Sequence, residues 1–315
     1  MRVFKQSKKG DCDFASAALL LLMKHLSNRQ GFTNDPCPDV LNDKIVYYLC
    51  NKTRKVKLET TYIPFKLLRQ HTANGRCLHM RVCAHRGASY YEPENTLGAF
   101  KRALEMGAYR LELDVRSTKD GIIVVIHDDT VDRTTNGSGF VREMTLKEIK
   151  RLDAGKGEKI PTLEEVLEFA KNNAKLLVDV KEKGLEEKLA ELVRAKGMVN
   201  DVVFISSTHI IRDLKKINQE LQVCPYYRFV ADEPLNMKRI KELDANWIYV
   251  SWMKISKDLV NLLHENSIKI FVGVPDILEV EEFRRIVKRL SNIEVDEIVT
   301  GRPDLASTYA STRDY

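Results

Sequence analysis

The sequence predicts an α/β protein with a parallel sheet, because strand-like and helix-like segments alternate from residue 80 onwards. Strand-like apolar runs lie at 82–86, 110–115, 121–127, 175–180, 201–206, 222–228, 247–251, 268–274 and 295–300. Helical patterns lie near 95–106, 145–152, 162–173, 185–196, 208–218, 234–243, 256–266 and 278–290. Each strand is therefore expected to reach its parallel neighbour through a helix.

Nine strand runs are one more than an eight-stranded barrel needs. A parallel neighbour requires a crossover of about a dozen residues, but only residues 116–120 separate the second run from the third. Asp120-Gly121 is typical of a hairpin, so the third run should fold back on the second. Eight parallel strands then predict a (β/α)8 TIM barrel. An open doubly wound sheet is the alternative, but no glycine-rich phosphate loop follows its first strand.

The first 79 residues show no alternation of strands and helices. We interpret 1–79 as a basic N-terminal extension of unknown role and 80–315 as the barrel domain. The extension holds 14 Lys/Arg and 6 Asp/Glu, which leaves the rest of the chain nearly neutral. We expect an apolar helix at 14–23 that could cover the bottom of the barrel, and a strand or short helix at 43–50. Because Met80 opens directly into the first barrel strand, the alternative is that the native product starts there.

Composition excludes several classes of protein. No stretch approaches 18 consecutive apolar residues, so stable membrane insertion is not expected. The six cysteines lack C-x-x-C spacing, which is typical of reduced thiols in a cytoplasmic protein. The near-neutral barrel domain gives no indication of a nucleic-acid partner. The oligomeric state is left open.

Two pairs of residues at strand ends suggest catalysis. Glu112 and Asp114 share one face of a strand, where a hard cation such as Mg²⁺ or Ca²⁺ would relieve their repulsion. The alternative is a solvated acidic face on an edge strand, the commoner explanation of an isolated E-x-D. His85 and His127 each follow an apolar run and could act as base and acid, although a lone histidine there is more often structural. Arg86 supplies a fork that fits phosphate oxygens.

These residues belong to an ordered set of motifs: H-R-G-A-S, P-E-N-T, L-E-L-D-V, T-K-D-G, V-V-I-H-D, P-T-L-E-E-V-L, D-V-K, I-S-S-T and V-D-E-I-V-T-G-R-P-D. In this order the sequence resembles the glycerophosphodiester phosphodiesterase family over residues 80–306. The resemblance implies a phosphoric diester hydrolase that uses a divalent cation. Its substrate would be a small glycerophosphodiester, and its products sn-glycerol 3-phosphate and an alcohol.

The resemblance also implies a role for each motif residue. One cation, Mg²⁺ or Ca²⁺ with Mn²⁺ as a further choice, would be held by Glu112, Asp114 and Asp179. The cation would bind the phosphate oxygens together with Arg86 and Lys181. Acid–base catalysis would fall to His85 and His127. The substrate side would be completed by Glu94 and Asn95, with Glu94 either orienting Arg86 or reaching the shell around the metal.

The sequence departs from the family pattern at three places. Asp179 stands where the family usually has glutamate, Gly301 stands where it usually has aspartate, and a Trp-Thr pair is missing near Val272–Gly273. The last two departures fall at the substrate end, so the preferred alcohol is left open.

Two other functions are compatible with parts of the pattern. A lysophospholipase D or sphingomyelinase D-like enzyme would act on lipids and needs an apolar rim, for which the candidates are Tyr90, Tyr91, Trp247 and Trp252. A catalytically inactive binding module is disfavoured, because both histidines, the arginine and three carboxylates occur together.

Overall fold

The computed structural model describes residues 48–51, 54–57, 80–226 and 237–310. The chain divides into two compact units, Met1–Cys77 and Leu78–Tyr315. In the first unit, strands β1 (Tyr48–Asn51) and β2 (Arg54–Lys57) pair antiparallel. The helix expected at 14–23 lies outside the described residues, as does most of the segment at 43–50.

The second unit is built on strands β3 (Arg81–Ala84), β4 (Arg110–Ser117), β5 (Ile123–Val125), β6 (Lys175–Val180), β7 (Val202–Ser206), β8 (Gln222–Pro225), β9 (Trp247–Ser251), β10 (Lys269–Gly273) and β11 (Glu297–Thr300). Eight of them are parallel neighbours in the order β8-β7-β6-β4-β3-β11-β10-β9. A parallel bridge between Tyr226 and Tyr249 joins β8 to β9 and nearly closes the ring. The predicted (β/α)8 TIM barrel is confirmed, and the open doubly wound sheet is wrong.

The described helices are α1 (Leu97–Glu105), α2 (Leu146–Ile149), α3 (Leu163–Ala170), α4 (Glu186–Ala195), α5 (Thr208–Ile217), α6 (Met237–Glu242), α7 (Lys257–Glu265), α8 (Val280–Asn292) and α9 (Pro303–Ala310). Capping boxes start α2 and α3, the second formed by Thr162 and Glu165 of the P-T-L-E-E motif. Within the described segments, no helix has the length and apolar character to cross a bilayer.

The predicted hairpin is confirmed. Strand β5 pairs antiparallel with the end of β4, with Val125 opposite Val115. Gly121 in the turn has φ +74°, a conformation that glycine adopts without steric cost. Arg116 Nε then donates to the carbonyl oxygen of His127 at 2.9 Å, which fixes the histidine beside the C-terminal end of β4.

The floor of the barrel is closed by a buried ion pair under two aromatic rings. Arg110 donates to Glu297 through Nε at 2.7 Å and through Nη2 at 3.1 Å. The rings of Trp247 and Phe271 stack 4.2 Å apart, and their centroids lie 5.2 and 5.4 Å from the guanidinium carbon of Arg110. Trp247 is 3% exposed, so its predicted place on an apolar rim is wrong. The alternation along β9 turns this side chain into the barrel, near the amino-terminal ends of the strands.

We expect a chain that begins at Met80 to fold and to cleave substrate about as well as the full chain. The eight strands, the floor and the candidate site described below all lie within residues 80–310. Thermal melting and kcat/KM of the shortened chain, compared with the full chain, test this. Insoluble or unfolded protein would show that residues 1–79 are needed by the fold.

Candidate active site

Three carboxylates meet near the C-terminal ends of β4 and β6. Asp114 on β4 is opposite Asp179 on β6, and Glu112 precedes Asp114 by two residues on the same face. One oxygen from each carboxylate lies within 4.8 Å of the other two, and each residue is at most 5% exposed. Because β4 lies between β3 and β6, the edge-strand alternative is wrong. The cluster could hold a metal ion.

Two cations balance part of this negative charge, and a phenol donates a hydrogen bond to it. Lys181 Nζ lies 2.8 Å from Asp114 Oδ1 and also pairs with Asp179. Arg86 Nε lies 3.1 Å from Asp114 Oδ2, and the Tyr226 hydroxyl donates to Asp179 Oδ2. Burial acts to raise the pKa of Asp114, but Lys181 and Arg86 outweigh it and lower the pKa below its usual value.

The remaining carboxylate charge is poorly compensated. Burial, together with the charges of Asp114 and Asp179, raises the pKa of Glu112 well above its usual value. Burial also raises the pKa of Asp179, whose Oδ1 is buried with no hydrogen-bond partner among the described residues. A buried, partnerless carboxylate oxygen is energetically costly, and a hard cation removes that cost. The donors present therefore fit a divalent cation.

The H-R-G motif places Arg86 through an unusual backbone. Arg86 has φ +53° and Gly87 has φ +84°, and a Cβ on Gly87 would come within 2.7 Å of the backbone of Ala99. This turn directs the Arg86 N–H to Glu112 Oε2 at 2.7 Å. The side chain of Arg86 donates through Nη1 to Glu94 Oε1 at 3.0 Å. Glu94 therefore contacts the Arg86 guanidinium, as one of its two expected positions requires.

The P-E-N-T motif combines site residues with a helix cap. Asn95 has φ +59°, a conformation that asparagine tolerates better than most residues. Its Nδ2 donates to Asp114 Oδ2 at 2.8 Å, and its Oδ1 accepts from the Asp114 N–H at 3.3 Å. Thr96 caps α1 by accepting from the Ala99 N–H at 3.1 Å. The motif thus fixes the orientation of one carboxylate and starts the first barrel helix.

The two histidines have different surroundings. His85 directly follows β3, and burial, followed by the charge of Arg86, lowers its pKa from the usual value. It is therefore neutral at pH 7. The side chain of His127 is 35% exposed, and its Nδ1 lies 2.6 Å from Asp128 Oδ1. This contact orients the ring and leaves Nε2 available for a ligand.

Arg133 is a site residue that sequence analysis missed. It lies in the loop that follows His127 and Asp128. Its guanidinium donates to Asp128 Oδ2 at 2.6 Å and to both oxygens of Glu94, at 2.9 and 2.8 Å. Hydrogen bonds from Arg133 lower the pKa of Asp128. Arg133 thus connects the carboxylate beside His127 to the carboxylate beside Arg86.

Replacing Arg133 with glutamine is expected to lower kcat by about ten- to a hundred-fold. Its loss frees Asp128 to move and misplaces the ring of His127, and small displacements of catalytic groups have effects of this size. Arg142→Gln is the matched control, because Arg142 lies in the short helical turn Val141–Glu143 that follows this loop and contacts the Phe140 ring. Equal kcat values for Arg133→Gln and Arg142→Gln would contradict the positioning role. Arg133→Lys should not restore the rate, because lysine cannot form the bidentate contacts of the guanidinium.

Comparison with known proteins gives a consistent result. The sequence model of the glycerophosphoryl diester phosphodiesterase family matches residues 85–305. A glycerophosphodiester phosphodiesterase from Caldanaerobacter subterraneus is 40% identical over 238 residues, which cover 71% of this chain and 94% of the relative. Another from Bacillus altitudinis is 32% identical over 244 residues, which cover 72% of this chain and 96% of the relative.

Solved structures agree with these relatives. The crystal structure of glycerophosphodiester phosphodiesterase from Agrobacterium tumefaciens superposes with a TM-score of 0.65 at 32% identity, and the match covers 72% of this chain and 99% of that one. A phosphodiesterase from Oleispira antarctica, in complex with the product sn-glycerol-3-phosphate, gives a TM-score of 0.65 at 25% identity. That match covers 74% of this chain and 98% of the other.

Proposed function

This chain belongs to the glycerophosphoryl diester phosphodiesterase family, and from that premise we propose that it cleaves glycerophosphodiesters with one divalent cation and two histidines. It is a phosphoric diester hydrolase. The proposed products are sn-glycerol 3-phosphate and an alcohol. The observation that carries the proposal is the buried cluster of three carboxylates beside Arg86 at the mouth of the barrel.

The proposed ligands of the cation, Mg²⁺ or Ca²⁺ with Mn²⁺ as a further choice, are Glu112, Asp114 and Asp179. When bound, the ion supplies positive charge to the phosphate oxygens and lowers the barrier to attack on an anionic diester. Asp179 is shorter than the glutamate typical of the family, and its partnerless Oδ1 supports its assignment as a ligand.

Arg86 and Lys181 are the proposed protein cations that bind the phosphate. Glu94 and Asp114 hold Arg86, and Asp114 and Asp179 hold Lys181. Because both head groups are mostly buried, their attraction to a phosphate oxygen is screened less than it would be in water. Such preorganised charges stabilise the charge that develops in the transition state.

We assign the proton transfers by the surroundings of each histidine. His85, kept neutral by burial, accepts the proton of the attacking oxygen. His127, with Asp128 at Nδ1 to offset its positive charge, donates a proton to the leaving alcohol. Arg133 holds Asp128 in position. Each transfer is expected to contribute about 10²–10⁴ in rate.

The decisive experiment compares glycerophosphocholine with lysophosphatidylcholine as substrates in the presence of Mg²⁺. We expect the first to be cleaved much faster, with sn-glycerol 3-phosphate as the phosphorylated product in an enzyme-coupled assay. Preferred cleavage of the lipid would replace this proposal with a lysophospholipase D activity. Binding of metal and diester without turnover of either compound would support an inactive binding module.

A further inference from the structure

Two glycines lie at the mouth of the barrel. Gly273 ends β10 and Gly301 directly follows β11. Neither is among the residues with positive φ, so the backbone does not require glycine at these positions. A Cβ on Gly273 would overlap the hydroxyl of Tyr249, and one on Gly301 would overlap Ser89 Oγ and lie 2.5 Å from Asp276 Oδ2. Each glycine therefore makes room for a polar group of a neighbouring segment.

The hydroxyl of Tyr249 is directed at the mouth. In the register of β9 and β10, Tyr249 is opposite Phe271. Its hydroxyl nevertheless lies against Gly273, two residues nearer the C-terminal end of β10. Burial, and then the charge of Glu112, raises the pKa of Tyr249. The phenol therefore keeps its proton at neutral pH and can donate a hydrogen bond.

Asp276 is fixed beside His85. Its Oδ1 accepts from Thr300 Oγ1 at 2.7 Å and from the Gly301 N–H at 2.6 Å, while the His85 N–H donates to the Thr300 carbonyl at 2.9 Å. Two donors hold Oδ1, and Oδ2 faces the space that a side chain on Gly301 would occupy. The carboxylate is thus an oriented acceptor next to the proposed base.

The two sides of the barrel mouth contact different arms of the diester. Strand β3, which leads to His85, has β4 on one side and β11 on the other. The proposed acid, His127, is held against β4, so the leaving alcohol is placed on that side. The other arm of the diester then extends over β11 and β10, towards Asp276 and Tyr249. In a glycerophosphodiester that arm is glycerol.

We propose that Tyr249 and Asp276 form the subsite that recognises the glycerol hydroxyls of the substrate. This rests on the proposed function and deepens it. A hydroxyl both donates and accepts, so one hydroxyl of glycerol can donate to Asp276 Oδ2 while its neighbour accepts from the Tyr249 phenol. Both protein groups are held in place before binding, which lowers the entropic cost of recognition.

The test measures binding of sn-glycerol 3-phosphate and of inorganic phosphate, each by calorimetry in the presence of Mg²⁺. For Tyr249→Phe and Asp276→Asn we expect about ten-fold or greater weakening of glycerol 3-phosphate, the size of one lost hydrogen bond to a polar partner. Binding of inorganic phosphate should change by less than about two-fold, because phosphate has no glycerol hydroxyls to contact these residues. Tyr109→Phe and Asp213→Asn, which lie away from the mouth, serve as controls.

Two outcomes would overturn the subsite: unchanged affinity for glycerol 3-phosphate, and equal weakening of both ligands. If unchanged affinity is accompanied by an increased KM for glycerophosphocholine, the two residues contact the leaving alcohol instead. Turnover by the wild type separates the two proposals. If the wild type cleaves glycerophosphodiesters but the variants bind glycerol 3-phosphate normally, only the subsite is wrong. If the wild type neither cleaves them nor prefers glycerol 3-phosphate over phosphate, both the proposed function and the subsite are wrong.

Discussion

His85→Ala and His127→Ala are each expected to lower kcat by about 10²–10⁴-fold while the protein remains folded, because each removes one proton transfer. Both side chains follow strand ends at the mouth, and neither fills the hydrophobic core. The measurement is kcat together with the melting temperature. His209→Ala, on the exposed face of α5, is the control and should leave both quantities unchanged.

A change of leaving group distinguishes the acid from the base. A p-nitrophenyl diester of glycerol phosphate releases a phenolate that needs no proton, so it should restore much of the rate of His127→Ala but not of His85→Ala. Restoration in His85→Ala alone would reverse the assignment. A large fall in melting temperature in both variants would instead make their role structural.

The pH dependence has a predicted sign. The base must be deprotonated, and burial lowers the pKa of His85 below its usual 6.5. As the pH is lowered, the activity of the wild type should therefore begin to decline only below 6.5. A decline that begins above 6.5 would be inconsistent with His85 as the base.

Much of the fold could be predicted because the signals are local and periodic. The turn residues Asp120-Gly121 identified the hairpin, and this reduced nine strand runs to eight parallel strands. Helix α9 was missed because P-D-L-A-S-T-Y-A consists mostly of small and polar residues and has a weak amphipathic pattern. Trp247 was misplaced because the sequence does not show to which face of β9 its side chain points.

The site was predictable where residues share a strand face or belong to a recognisable motif, and unpredictable where a residue outside the motifs meets a partner distant in sequence. Glu112 and Asp114 share a face through the two-residue period of a strand. Arg133 and Tyr226 reach partners 39 and 47 residues away, and neither contact leaves a periodic signal in the sequence. Asp276 was missed for the same reason, because it contacts Thr300, 24 residues away, only in the folded barrel. Functional residues in loops follow no regular spacing along the sequence, so periodicity does not identify them.

Removal of the divalent cation is expected to abolish activity, and Mg²⁺, Mn²⁺ or Ca²⁺ should restore it. Glu112→Gln should raise the metal concentration needed for half-maximal activity by more than the 10–100-fold typical of outer-shell partners, since it removes a charged ligand. Activity titrations of the wild type and Glu112→Gln after dialysis against EDTA provide the measurement. Glu187→Gln, on the exposed surface of α4, is the control. Full activity of the dialysed wild type without added metal would rule out the proposed cation.

Although Glu112→Gln should weaken metal binding, it should stabilise the protein when no metal is present. The raised pKa of Glu112 means that its contribution to stability is complete below its unfolded pKa near 4.5 and is lost as the pH rises through the folded pKa. At pH 7, above the unfolded pKa, folding forces this carboxyl either to keep its proton or to bury a charge beside Asp114 and Asp179, and both are costly. A neutral glutamine avoids this cost and should raise the melting temperature without metal. Added Mg²⁺ should stabilise the wild type and have little effect on the variant. Equal stabilisation of both by Mg²⁺ would place the cation elsewhere.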